Sequence, residues 1–189
     1  MHLDSRKIAV AVAGFCAFLN LYSPQALLPE LAREFGVGPA EISTIMTASA
    51  LAIALTAPFT GAIADMLGRK RVITAAMLAV VVPMAGASFA GDVQALIAWR
   101  FVLGLLLPPI FAVTIAYIGD EWPASEIAGV AGIYIAGSSV GGFCGRFVPG
   151  VLADIIGWRG AFVALAVLSL LGAIVVAIML PREDRKSVV

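Results

Sequence analysis

Four charged side chains interrupt an otherwise apolar part of the chain in residues 61–72, "GAIADMLGRKRV". Asp65 precedes Arg69 by four residues, and Lys70 and Arg71 follow Arg69 directly. Because residues four apart are neighbours on a helix, Asp65 and Arg69 can form an ion pair. A cluster of cations beside apolar segments is typical of the cytoplasmic face of a membrane. The stretch therefore predicts a charged loop that joins two membrane-spanning helices on that face.

Three polar side chains lie deep inside apolar runs, namely Asn20, Arg100 and Arg146. Each stands eight residues from the outer end of its run, which at about 1.5 Å per helical residue is roughly 12 Å. Because the sequence has no carboxylate at that depth, cations there could bind an anionic or oxygen-rich solute. The alternative is that they donate to carbonyls freed by Pro24 or Pro149, or extend to the membrane surface. We assign the three to a predicted substrate cavity, together with Gln25, Tyr134 and Ser138.

The apolar composition of the chain indicates that these charged residues belong to a membrane protein. Of the 189 residues, 61% are hydrophobic and 13% are charged, whereas soluble domains are about 45–50% apolar and about 25% charged. The mean hydropathy is +1.03. A soluble chain of this size could not bury so much apolar surface. The sequence therefore predicts an integral membrane protein in contact with the lipid bilayer.

Other classes of function find little support in the residues. The net charge is zero, so nothing attracts nucleic acid by bulk electrostatics. Cys16 and Cys144 lie inside apolar runs, where we interpret them as small buried hydrophobes. Since no nucleophile–base pair, metal cluster or phosphate loop is evident, we predict no enzyme, no catalytic residue and no metal site.

Six apolar runs are long enough to cross a hydrocarbon core of about 30 Å as helices. We number them spans 1 to 6, at about 8–28, 42–64, 72–90, 93–117, 126–154 and 160–180. Eight cations fall on one side of these spans and two, Arg33 and Arg159, on the other. The excess of cations predicts that both termini are cytoplasmic, in a multi-pass protein of the cell (inner) membrane.

The sequence also contains an internal similarity. Residues 61–70, "GAIADMLGRK", align with residues 150–159, "GVLADIIGWR", and each segment ends the second helix of a three-helix set. The second helix of each set also begins with a proline and then an acid. We therefore predict an all-α fold of two three-helix repeats, at about 6–90 and 91–181, followed by a cytoplasmic tail at 182–189. An odd number of helices inverts the second repeat, as in many secondary transporters.

Three motifs carry a resemblance to a known family. The pattern Gly61-xxx-Asp65-xx-Gly68-Arg69-Lys70-Arg71 resembles the helix 2–3 loop signature of the major facilitator superfamily. The fourth span is similar to that family's helix 4 motif at Arg100-xxx-Gly104. The fifth resembles its antiporter motif at Gly137-xxx-Gly141-Gly142-xx-Gly145, although Gly142 replaces a proline and Arg146 a glycine. Bacterial drug and sugar efflux members are the most similar.

The resemblance implies a six-helix half of a twelve-helix fold, with a cavity open alternately to each side. We expect a secondary transporter that exports a small organic solute, with an anion as one option for the cargo. It would act as a homodimer or with a companion six-helix half. The family implies no cofactor, and proton coupling is inferred from the family alone. The alternative is an inert or regulatory six-helix fragment, or a truncated longer protein.

Further roles follow from the resemblance and from helix packing. In the family, the acid matching Asp65 faces a helix N-terminus in the opposite half, which predicts a latch made of residues 61, 65 and 68–71 that favours the outward-open state. The alternative is a membrane-surface anchor with a local ion pair. We also predict helix-packing or gating roles for Gly104, Pro108, Pro109, Gly137, Gly141, Gly142 and Gly145. Small residues let helices approach closely in lipid, and for the stripe Gly137, Gly141 and Gly145 we favour a seam between subunits over internal packing.

Overall fold

The structure, a computed structural model, describes residues 4–180, so the predicted tail at 182–189 lies outside the described residues. The described chain is helical, as predicted. It contains α1 (Ser5–Tyr22), α2 (Leu28–Phe35), α3 (Pro39–Leu67), α4 (Arg69–Ser88), α5 (Val93–Leu106), α6 (Pro108–Glu121) and α7 (Ala124–Met179).

Apart from the short helix α2, these helices form six long rods. Leu107, between α5 and α6, keeps helical angles of φ −73° and ψ −45°, so the two run on as span 4. The 56 residues of α7 divide at Gly157, where φ is 72° and ψ is 163°, into spans 5 and 6. Helices α1, α3 and α4 are spans 1 to 3. By length and composition four helical stretches could cross a membrane: α3, α4, α5–α6 and the whole of α7.

The first span is shorter than the sequence predicted. Helix α1 ends at Tyr22 rather than near Leu28, because Pro24 has no N–H and so cannot donate to the carbonyl of residue 20. The chain then turns and forms the short helix α2, which was not predicted. Gly36, with φ 66°, caps the end of α2.

Polar side chains cap the starts of two helices. Asp4 accepts a hydrogen bond from the backbone N–H of Arg6 at 3.1 Å, and Asp92 accepts one from Ala95 at 2.7 Å. A hydrogen bond from the Arg6 side chain holds the pKa of Asp4 below its ordinary value. Such caps satisfy N–H groups that the helix itself leaves unpaired.

Glycines bring the backbones of α1 and span 5 together. A Cβ built on Gly145 would lie 2.6 Å from the carbonyl oxygen of Leu19, and Gly137 and Gly141 face the α1 backbone even more closely. The stripe is therefore covered by α1 of the same chain. The favoured seam between subunits is wrong, because internal packing already occupies this face. Gly104 similarly lets span 4 approach α3 at Ser49 and Ala52.

Large apolar side chains remain exposed on several rods. On α3 they include Leu51, Leu55 and Phe59, and on span 5 they include Ile135, Phe143 and Phe147. The core instead lies where α1 contacts both arms of α7 and where α4 packs on span 6. The exposed faces are suited to lipid or to another apolar helical surface.

Candidate functional site

An open groove runs between α1, α6 and span 5. Its volume is about 410 Å³. Its lining is mainly aromatic and aliphatic, and includes Phe18, Tyr22, Phe111, Tyr134, Ser138 and Arg146. Three residues that the sequence assigned to a cavity, Tyr134, Ser138 and Arg146, thus lie together on this surface.

Arg146 is held at the groove by three contacts within the chain. Its guanidinium lies 3.6 Å from the ring centroid of Tyr22. Its Nε donates to Oε1 of Gln25 at 2.7 Å, and its Nη1 donates to the carbonyl of Gly142 at 3.1 Å. Gln25 therefore acts on the groove through Arg146 and is not part of the lining. The side chain of Arg146 is itself exposed.

Arg100 occupies a different environment. It is completely buried, and it donates to the carbonyls of Asn20 at 3.0 Å and Leu21 at 2.9 Å. Its Nε also donates to the Ser49 hydroxyl at 3.2 Å. The Asn20 carbonyl is available because the residue four positions later is Pro24. For Arg100 the structure therefore matches the second alternative, donation to freed carbonyls.

Asn20 is also buried among helices. Its Nδ2 donates to the Cys16 carbonyl at 2.7 Å and to the Ser169 hydroxyl at 2.8 Å, which joins α1 to span 6. Contrary to the prediction, neither Asn20 nor Arg100 lines the groove in this conformation. Both are turned into helix–helix contacts, where their donors are satisfied.

The predicted latch residues lie at one end of the bundle. Arg69 pairs with Asp120 at 2.7 Å and with Asp65 at 3.8 Å. The ammonium of Lys70 donates to the carbonyl of Leu180, at the end of span 6. Gly68, between α3 and α4, takes φ 90° and ψ 135°, a positive-φ backbone that glycine adopts without a steric penalty.

The remaining features of this end are exposed. The Asp65 side chain is 72% exposed, and Arg71 is exposed as well. A Cβ on Gly61 would meet nothing within 4 Å, so no helix among residues 4–180 approaches it. At the neighbouring helix starts, Lys7 pairs with Glu126 at 3.0 Å.

The matching segment at residues 150–159 forms the other end. Arg159 pairs with Glu34 at 3.0 Å and donates to the carbonyl of Ala90 at 3.2 Å. Ala90 follows the end of α4, whereas Arg69 begins it. The 20 residues of α4 correspond to a length of about 30 Å. The two segments therefore lie at opposite ends of the bundle.

Sequence reasoning missed two of the four aromatic residues that line the groove, Phe18 and Phe111. Phe18 and Tyr22 are four residues apart on α1, with ring centroids 6.2 Å apart, and Phe111 lies 6.4 Å from Phe18. The four-residue spacing indicates a shared helix face. It does not indicate which neighbouring helix that face meets, so the groove could not be assembled from spacing alone.

Comparisons with known proteins agree on one family. The family model for the Major Facilitator Superfamily matches residues 10–189. Inner membrane transport protein YnfM of Escherichia coli (strain K12) is 33% identical over 176 residues, which are 93% of this chain and 42% of that protein. Multi-drug resistance efflux pump PmrA of Streptococcus pneumoniae serotype 4 is 28% identical over 94% of this chain and 46% of its own length.

The fold is similar to that of a solved protein. The crystal structure of a bacterial homolog to the human lysosomal transporter Spinster, inward-facing and unoccupied, superposes with a TM-score of 0.85 and 17% identity. The match covers 98% of this chain and 45% of that one. The chain thus spans less than half the length of each of these proteins.

Proposed function

The chain belongs to the major facilitator superfamily, and we propose that it supplies one half of a secondary transporter that exports a small organic solute by alternating access. Membership places it among multi-pass membrane transporters rather than enzymes. The open groove of α1, α6 and span 5 carries the proposal. It forms one wall of a cavity, so the opposite wall has to come from a second six-helix unit.

The proposal takes that second unit to be another copy of this chain or a companion half. Two features support a partner on the same surface as the latch. Large apolar side chains of α3 are exposed at Leu51 and Leu55, and Gly61 on the same helix has open space beside it. A glycine without neighbours permits close approach by an external helix. Asp65, exposed nearby, would then meet the N-terminus of that helix, where a negative charge is favourable.

Inversion of the two three-helix repeats is part of the proposal. A reciprocal pair of contacts supports it. Lys70, in the loop of the first repeat, donates to Leu180 at the end of the second repeat. Arg159, at the aligned position of the second loop, donates to Ala90 at the end of the first. A twofold relation in the membrane plane accounts for this exchange of partners.

We also propose the orientation and the coupling. The cation excess at the end that carries Arg69 supports a cytoplasmic location for that end, in the inner membrane, with both termini there. No cofactor is required. Proton coupling stays an inference from the family, because in the described part of the chain the carboxylates lie at helix ends or in connections. A coupling carboxylate would therefore come from the second unit.

Two measurements test the proposal. The mass of the assembly in native nanodiscs should be twice that of this 19.5 kDa chain, or should include a companion half. Proteoliposomes that contain the same assembly should move at least one member of a panel of radiolabelled neutral, cationic and anionic solutes down an imposed gradient. A stable single chain that moves none of the panel would contradict the proposed function and favour the inert or regulatory alternative.

A further inference from the structure

We propose that the groove selects an organic anion that carries an aromatic ring, and that Arg146 binds the anionic group. This inference rests on the proposed transport function, because it names the class of solute that the groove would accept. It follows from the unused hydrogen-bonding capacity of Arg146 and from the chemistry of the wall beside it.

The guanidinium of Arg146, which lines the groove, retains N–H donors that the chain does not use. Arginine has five N–H donors, and the chain uses one on Gln25 and one on Gly142. No carboxylate pairs with Arg146 among residues 4–180. Three N–H donors and an uncompensated positive charge are therefore available to a solute.

Arg146 is also held in place before any solute arrives. The Tyr22 ring supports one face of the guanidinium at 3.6 Å, and Gln25 fixes its Nε at 2.7 Å. A planar guanidinium with its rotamer already fixed loses little freedom when it binds a carboxylate or sulfonate at two points. Arg100, by contrast, is not available to a solute, because it is fully buried and donates to several oxygens of its own chain.

The wall next to Arg146 favours a ring. The rings of Phe18, Phe111 and Tyr134 line the groove, with Ile115 and Ile135. Flat aromatic solutes bury much apolar area against such rings and stack in offset or edge-on arrangements. The volume of about 410 Å³ and the open side leave room for a compound of one or two rings.

Other solute classes fit this surface poorly. The hydroxyls of Ser138 and Ser139 donate their single protons to the carbonyls of Tyr134 and Ile135, each at 2.9 Å. A sugar would therefore find few free donors apart from Arg146. An organic cation would meet a positive charge, and none of the described lining residues is a carboxylate that would offset it.

Three small probes separate charge from ring. Benzenesulfonate carries both, benzenesulfonamide keeps the ring without the charge, and methanesulfonate keeps the charge without the ring. Calorimetric titration of the full chain in nanodiscs should give benzenesulfonate an affinity at least about tenfold higher than either of the others, since a charge-assisted contact and ring burial each contribute about tenfold or more. Equal affinities, or no binding of benzenesulfonate, would overturn the inference.

Variants assign the charge preference to Arg146. Arg146→Gln should reduce benzenesulfonate affinity about tenfold, to the level of the neutral amide, while Arg146→Lys should retain part of the preference. Arg33→Gln, which removes an exposed cation on α2, is the matched control and should leave the preference unchanged. Thermal melting of each variant identifies loss of fold. If Arg146→Gln is folded and keeps the full preference, the assignment is wrong. If Arg146→Gln does not fold, the folded variant Arg146→Lys provides the test instead. An unchanged preference for benzenesulfonate in Arg146→Lys would also contradict the assignment.

Flux measurements in proteoliposomes distinguish a failure of the proposed transport function from a failure of the proposed ligand class. A charge-and-ring preference in binding, without flux of any solute, would contradict transport and leave the ligand class standing. Flux of neutral solutes, with no preference for benzenesulfonate in binding, would contradict the ligand class and leave transport standing.

Discussion

Residues 61–70 and 150–159 lie at opposite ends of the bundle, yet their backbones turn in the same way. Gly68 and the aligned Gly157 have positive φ values of 90° and 72°, each with an extended ψ. The last residue of each segment, Lys70 or Arg159, donates to a carbonyl at the end of another rod. In both segments, therefore, a glycine reverses the chain and a cation donates a hydrogen bond to a carbonyl at the end of another helix.

The side chains between these fixed points differ. Arg69 of the first segment forms ion pairs with Asp65 and Asp120. At the same position of the second segment, Trp158 is buried and packs edge-on against Phe35. The turn keeps the glycine and the terminal cation in both segments. The position between them follows its surroundings, charged in Arg69 at one end of the bundle and aromatic in Trp158 at the other.

The largest expected effect on stability comes from the position that holds Arg69 in one segment and Trp158 in the other. Trp158→Ala should lower the free energy of unfolding by about 3–5 kcal/mol, because it leaves a cavity among buried rings. Arg69→Ala should cost about 1 kcal/mol or less, since partly exposed ion pairs contribute little. Unfolding by denaturant titration in detergent measures both values. Similar costs for the two variants would contradict the division into an aromatic end and a charged end.

The shared glycines should give the next largest effect. Gly68→Ala and Gly157→Ala should each cost about 1–3 kcal/mol, because a residue with a Cβ is strained at these positive φ values. Gly157→Ala should be the more severe of the two, since its ψ of 163° lies in a region occupied almost only by glycine. Gly61→Ala is the control, because a Cβ there meets nothing within 4 Å. A cost for Gly61→Ala equal to that of the other two would remove the role assigned to the turn.

The terminal cations allow a direct test of equivalence. Lys70→Met and Arg159→Met should each cost about 0.5–1.5 kcal/mol, the net contribution of one hydrogen bond. The double variant should show the sum within about 0.5 kcal/mol, because the two sites are far apart. If one substitution were neutral in the same unfolding assay, the reciprocal contacts would not be equivalent, and the proposed inverted repeat would lose its main support.

Asp65→Asn should have the smallest effect on stability, below about 1 kcal/mol, since its side chain is 72% exposed. Its expected consequence lies in assembly, because the proposed latch needs the negative charge. We expect a reduced fraction of two-unit assemblies in native mass spectra, or loss of flux, with an unchanged melting temperature. The aligned Asp154→Asn, at the other end, is the control. Unchanged assembly and flux in Asp65→Asn would eliminate the latch.

Much of the fold could be predicted because it depends on local composition. The apolar runs, the charged loop in residues 61–72 and the family motifs are each contained in short stretches of sequence. The early end of α1 was missed, although Pro24 stands in the sequence, because the run continues apolar beyond it. The glycine stripe of span 5 was recognised as a packing surface but given the wrong partner, since any close helix satisfies the same pattern.

The candidate site could be predicted only in part, and the two arginines show why. The sequence alone determined that Arg100 and Arg146 lie at a similar depth in apolar helices, because residue type, run length and helical rise are local properties. Only the tertiary structure decided that Arg100 meets the carbonyls of Asn20 and Leu21, whereas Arg146 faces an open groove. Which helix lies opposite a side chain depends on the packing of all six rods at once, and that packing is not encoded in the spacing along any one of them.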